Sequence, residues 1–216
     1  MVFGIKSSVK YAHQATPVNT PVTVIIDPGH GVPDGGTSSG NGVTEADINL
    51  EISQRLNDMF HFLGIGTIMT RTDKNSIFTE GNTIAQKKIS DTRNRVEMIN
   101  KMDNVLLISI HQNHFIESKY SGPQVFYAQT NESQPLAKQL QMDLTKMLSP
   151  DSNRKSKAST GVYLMKHIKC TGVLIECGFL SNPQEEALLQ TPAYQKKVSA
   201  VIAISCANYL KEYSIS

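Results

Sequence analysis

The chain has 216 residues, 39% of them hydrophobic and 19% charged, with 21 basic and 19 acidic side chains for a net charge of +2. That length suits one α/β domain able to bury a core without disulfides. The near-neutral balance lacks the basic stripe that nucleic acid would call for, and no run approaches the 18 apolar residues of a membrane span.

Residues 1–21 hold two prolines and many polar side chains and read as an extended arm or tail. They lack the unbroken apolar core of a signal peptide. This leaves a cytosolic protein, or one whose export segment is absent from this chain, as alternatives. Val22–Asp27 (VTVIID) is β-branched and stops at Pro28-Gly29, the pattern of a strand and a turn. Over Thr44–Leu63, Ile48, Ile52, Leu56, Met59 and Leu63 form a helical stripe, with Thr44 as N-cap and Gly64 as stop. Ile65–Thr70 is the next strand, and a polar loop with Arg71 and Asp73 follows. A helix over about Ile84–Met102 turns Ile89, Val96, Ile99 and Met102 inward. Asn104–His111 (NVLLISIH) is an apolar strand of the kind buried on both faces of a parallel sheet. Gly122–Gln129 is a further strand, Gln134–Leu148 a helix and Pro150–Gly161 a loop. Thr171–Cys177 (TGVLIEC) is a buried strand, and Asn182-Pro183 and Thr191-Pro192 each open a helix, the longer near Ala193–Tyr213. Strands alternating with helices make this an α/β fold with a mostly parallel or mixed sheet flanked by helices.

Three apolar strands run into ionisable residues: VTVIIDPGH into His30, NVLLISIH into His111 and GVLIE into Glu176. Ligands of open α/β sheets bind beyond the carboxyl ends of the strands, so these three side chains converge on one rim. Glu45, in the first turn of the next helix, returns to it through a glycine-rich loop. Two imidazoles and a carboxylate are a catalytic zinc set with a position left for water, and Glu176 is the carboxylate free to move that water's proton. An extended strand sends Cys177 to the face opposite Glu176. His114, in the turn after His111, is the rival ligand. Asp27 is a turn acid or supports the site. Arg71 and Arg93 either support loops or bind a substrate carboxylate. The cysteines Cys170, Cys177 and Cys206 form no CxxC pair and read as buried or half-buried thiols.

IIDPGHG, TEADINLEIS, MTRTD, SIHQN and IECGFLSNPQEE occur in this order across about residues 22–212. In this the chain resembles the zinc-dependent N-acetylmuramoyl-L-alanine amidases of the type 3 amidase family. The resemblance implies a single domain over 22–216 with a six-stranded mixed sheet. It also implies one Zn2+ per chain on His30, Glu45 and His111, with Glu176 catalytic, and no substrate-binding residue follows from it. Peptidoglycan would be the substrate, cut between N-acetylmuramic acid and L-alanine. The short VTEADINLEIS connection leaves no room for an autoinhibitory helix, a compact form similar to sporulation and germination amidases that prepare spore cortex for muramic-δ-lactam formation. An exported enzyme on the cell wall or cortex side of a membrane is then expected, with metal occupancy or an activator protein as the means of control. Val32 stands where glycine is usual, Asn75–Ser90 is longer than usual, and Cys177 replaces threonine. A zinc carboxypeptidase, which would need Arg71 or Arg93 as a carboxylate clamp, and a non-catalytic wall-binding protein are the competing readings.

Overall fold

A computed structural model describes residues 22–40 and 42–213. The arm expected over residues 1–21 lies outside the described residues. The elements run β1 (Thr23–Pro28), α1 (Glu45–Phe62), β2 (Thr67–Met69), α2 (Ile84–Asn100), β3 (Val105–Asn113), β4 (Gln124–Tyr127), α3 (Ser133–Leu148), β5 (Lys157–Ala158), α4 (Tyr163–His167), β6 (Thr171–Phe179), α5 (Pro183–Leu189) and α6 (Pro192–Tyr213). The strands form one six-stranded sheet in the order β2-β1-β3-β6-β4-β5. β1 pairs in parallel with β2 and β3, and β3 with β6, while β4 runs antiparallel to β6. The sheet is therefore mixed, as the sequence led us to expect.

Period-2 alternation divides β1, β3 and β6 between two cores. Ile26, Ile108, Ile110, Val173 and Ile175 face one way, against Ile48, Ile52, Leu56 and Phe60 of α1 and the apolar positions of α3 and α6. Ile25, Leu107 and Leu174 face the other, against Ile99 of α2 and Leu164, Met165 and Ile168 around α4. Thr44 caps α1 by accepting from the backbone N–H of Asp47, and Leu63-Gly64 ends it, with Gly64 at φ 74°. Among the described residues no helix is long and apolar enough to cross a membrane.

Two local readings change. The stretch 150–161, read as loop, carries the two-residue edge strand β5, and α4 follows it. Both are too short to leave a periodic signature. Ile89 is exposed, whereas Ile99 is buried with Val96 and Met102 packed beside it as expected, and the rest of the buried face of α2 is Ser90, Asp91 and Arg95. This face is polar because it covers the buried carboxylate of Asp27, and the apolar stripe alone could not reveal that.

Candidate metal centre

The site forms where β1, β3 and β6 end. In the parallel β3–β6 ladder His111 lies directly opposite Glu176, so both project from the same sheet face. Asp27, two residues beyond Ile25, faces the same way and pairs in register with Ser109. His30 follows in the turn with φ 62°, an uncommon backbone for a residue with a Cβ. Two buried arginines hold that turn. Arg95 donates to the carbonyls of Pro28 (2.8 Å) and His30 (2.6 Å). Arg71 donates to those of Pro28 (3.0 Å), Gly29 (3.0 Å) and Ala46 (2.8 Å), so it also ties the turn to the start of α1. Arg95 in turn rests on Asp27 (2.6 Å) and Asp91 (2.9 Å).

The start of α1 brings Glu45 to both imidazoles. Its Oε2 is 3.3 Å from His30 Nε2 and its Oε1 is 3.0 Å from His111 Nδ1. One ligand atom from each of His30, Glu45 and His111 can be chosen so that all lie within 4.8 Å of one another. Backbone N–H groups of Thr37 and Gln112 donate to the Glu45 carboxylate, each at 3.1 Å. The other ring nitrogen of His30, Nδ1, lies 2.7 Å from Asp34, which also pairs with Lys88 at 3.1 Å. Glycine is required close by: a Cβ at Gly29 would overlap the His111 ring, and one at Gly36 would sit 2.5 Å from Glu45 Oε2 and 2.8 Å from His30 Cδ2.

These surroundings favour positive charge between the imidazoles. Burial opposes charge on His30, but hydrogen bonds to Asp34 and Glu45 raise its pKa to about 9. Burial would likewise raise the Glu45 pKa, yet both histidines hold the carboxylate well below its usual range. Glu176 goes the other way. Desolvation, with the charge of Glu45 adding to it and that of His111 resisting, pushes its pKa up to about 7. Its Oε2 is buried with no hydrogen-bond partner. Two nitrogens and a carboxylate converging on one point, with a separate unpartnered carboxyl beside them, suit a zinc ion with an open coordination position.

The four residues named from sequence, His30, Glu45, His111 and Glu176, thus come together, the last three of them from separate elements. His114 is exposed and outside the cluster. Cys177 is buried in the opposite core, Cys206 with it, and Cys170 is half-buried. Arg71 is committed to main-chain carbonyls, and Arg93 lines a separate groove with Glu80, Asn82 and Gln86. Sequence reasoning missed Asp34, although it stands four residues after His30. It also missed Arg95, whose place four residues before Ile99 on the inward face of α2 was the available signal.

A family model described as N-acetylmuramoyl-L-alanine amidase matches residues 24–208. The germination-specific N-acetylmuramoyl-L-alanine amidase of Bacillus subtilis is 40% identical over 191 residues, spanning 88% of this chain and 80% of that protein. The CwlD amidase of Clostridioides difficile, solved in complex with the GerS lipoprotein, superposes with a TM-score of 0.84 at 37% identity, covering 88% of this chain and 99% of that one. An N-acetylmuramoyl-L-alanine amidase from Clostridium difficile 630 gives a TM-score of 0.74 at 27% identity, over 88% and 97% of the two chains.

Proposed function

The chain belongs to the N-acetylmuramoyl-L-alanine amidase family, hydrolases of peptidoglycan, and on that premise we propose that it does its chemistry with one zinc ion held by His30, Glu45 and His111 and with Glu176 as the acid/base. When bound there, zinc supplies a positive centre that polarises the lactyl carbonyl and acidifies water. The observation that carries the reading is the buried, unpartnered carboxyl of Glu176 beside the three converging ligands. A carboxyl so placed can take a proton from the attacking water and give it back. Glu176 would deliver it to the alanine nitrogen as the amide breaks, leaving muramic acid with a lactyl carboxylate and a stem peptide with a free amino terminus. Asp34 fixes which nitrogen of His30 faces the ligand set, Arg95 holds the His30 carbonyl, and Arg71 holds those of Pro28 and Gly29 before it.

Residues 22–216 form the catalytic domain in this reading, acting on the wall or cortex side of a membrane. The germination-specific relative supports a role in spore cortex, where removal of the stem frees the carboxyl from which a muramic-δ-lactam is closed. A protein partner belongs to the same reading, because a similar amidase forms a complex with a lipoprotein.

Metal analysis and product analysis together test it. The wild-type chain should bind one zinc and release stems with N-terminal L-alanine from peptidoglycan. His111→Ala should lose the metal. Glu176→Gln should keep it and lose roughly 10²–10⁴-fold in turnover. Full activity in Glu176→Gln, or loss of a C-terminal residue from the stem instead, would overturn the assignment.

A further inference from the structure

Asn49 stands one turn after Glu45 on α1, a spacing that puts both side chains on the same face of the helix. It is fully buried, as are its neighbours Ile48, Leu50 and Ile52. Both facts count against asparagine, a poor residue for a helix interior whose amide is costly to bury unless bonded. A leucine would suit helix and core better. The amide instead bonds to each of the three segments that carry a candidate metal ligand. Its Nδ2 donates to the carbonyl of Gly29, the residue before His30, at 3.1 Å, and to Glu45 Oε1 at 3.4 Å. Its Oδ1 accepts from Nε2 of Gln112, the residue after His111, at 3.1 Å. The backbone N–H of Gln112 returns to Glu45 Oε1 at 3.1 Å, which closes a ring of contacts. Gly29 and Glu45 both present acceptors to Asn49, so its partners fix which way the amide points.

From this arrangement we infer that Asn49 is a positioning residue. With Gln112 it locks the Glu45 carboxylate and the backbone beside both histidines into one unit, so that the three ligands are set before the metal binds. The inference rests on the zinc reading and adds two residues that act through the ligands. Only a side chain with both a donor and an acceptor can make these links. The Gly29 carbonyl also accepts from Arg71 at 3.0 Å, so the peptide ahead of His30 is held from two sides. Gln112 is buried, and its Oε1 has no hydrogen-bond partner. Packing alone would favour an apolar side chain of the same size there.

Competitive zinc titration and the visible spectrum of the cobalt-substituted full chain test this, with the melting temperature of the metal-free protein as the control for structure. Asn49→Leu should weaken zinc about 10–100-fold and alter the cobalt bands, which report ligand geometry. Gln112→Met keeps the bulk and removes the unpartnered oxygen. It should weaken zinc about two- to tenfold while the metal-free melting temperature holds or rises. In the Asn49→Leu background Gln112→Met should cost no further affinity, because the link is already broken. Wild-type zinc affinity and cobalt bands in Gln112→Met, whatever its melting temperature, would overturn the inference and leave Asn49 a tie between helix and sheet. Losses that add in the double variant would overturn it too. If Asn49→Leu does not fold, Gln112→Met decides alone. The zinc reading is scored separately, on the wild type and His111→Ala. Where the first binds no zinc or the second still binds one, that reading fails and this inference with it; where both behave as expected and Gln112→Met matches wild type, only the inference fails.

Discussion

Arg95 donates to the main-chain carbonyl of His30 across 65 residues of sequence, at 2.6 Å. The same guanidinium is buried against Asp27 and Asp91, so the backbone of a metal-ligand candidate is held by a charge network rather than by apolar packing. Arg95→Ala would leave two carboxylates buried without their cation, a loss of roughly 3–5 kcal/mol. The melting temperature should fall by about 6–20 °C at ~2–4 °C per kcal/mol for a domain of this size. Arg95→Lys keeps the charge but cannot reach Asp27, Asp91 and the turn together, so it should fold and bind zinc more weakly. Calorimetry and a competitive zinc titration give the two numbers; unchanged zinc affinity in Arg95→Lys would show that the turn holds itself.

Asp34 orients His30 through Nδ1 at 2.7 Å. Groups that hold a metal-binding histidine in this way are worth roughly 10–100-fold in affinity. Asp34→Asn should therefore weaken zinc by about that factor, with little change in melting temperature of the metal-free protein. A zinc dissociation constant equal to wild type would assign Asp34 to Lys88 alone.

Gly29 tests the geometry by steric means. An added Cβ would meet the His111 ring, so Gly29→Ala should turn that imidazole away and abolish stoichiometric zinc binding while far-UV circular dichroism stays native. Retention of one zinc per chain would mean that the ring has room to relax.

Acid should unfold the protein partly through Asp27. Burial alone would raise its pKa, but Arg95, Ser109 and Thr70 outweigh that and lower it from 3.8 to about 2. The folded state therefore gives up this proton more readily than the unfolded chain. The resulting stabilisation, roughly 2 kcal/mol, is complete above about pH 4 and disappears as pH falls toward 2. Denaturant unfolding of metal-free wild type and Asp27→Asn between pH 2 and 6 should give stability curves that converge at the acid end. Parallel curves would remove Asp27 from the acid transition.

The amino-acid order by itself determined which strands are apolar on both faces and where each meets an ionisable residue, because period and burial are written locally. It thereby placed His30, His111 and Glu176 on one rim, since strands that run in parallel must end together. Pairing order, and with it the direct opposition of His111 and Glu176, belongs to the tertiary structure; the preference for His111 over His114 was already legible, because His111 ends the strand and His114 lies in the turn beyond it. The tasks of Arg71 and Arg95 also belong to the tertiary structure: an arginine's long side chain reaches several unrelated carbonyls and carboxylates, and nothing in its own stretch of sequence says which. The helix α4 was likewise hidden, because five residues carry too little periodicity to be seen before their neighbours are in place.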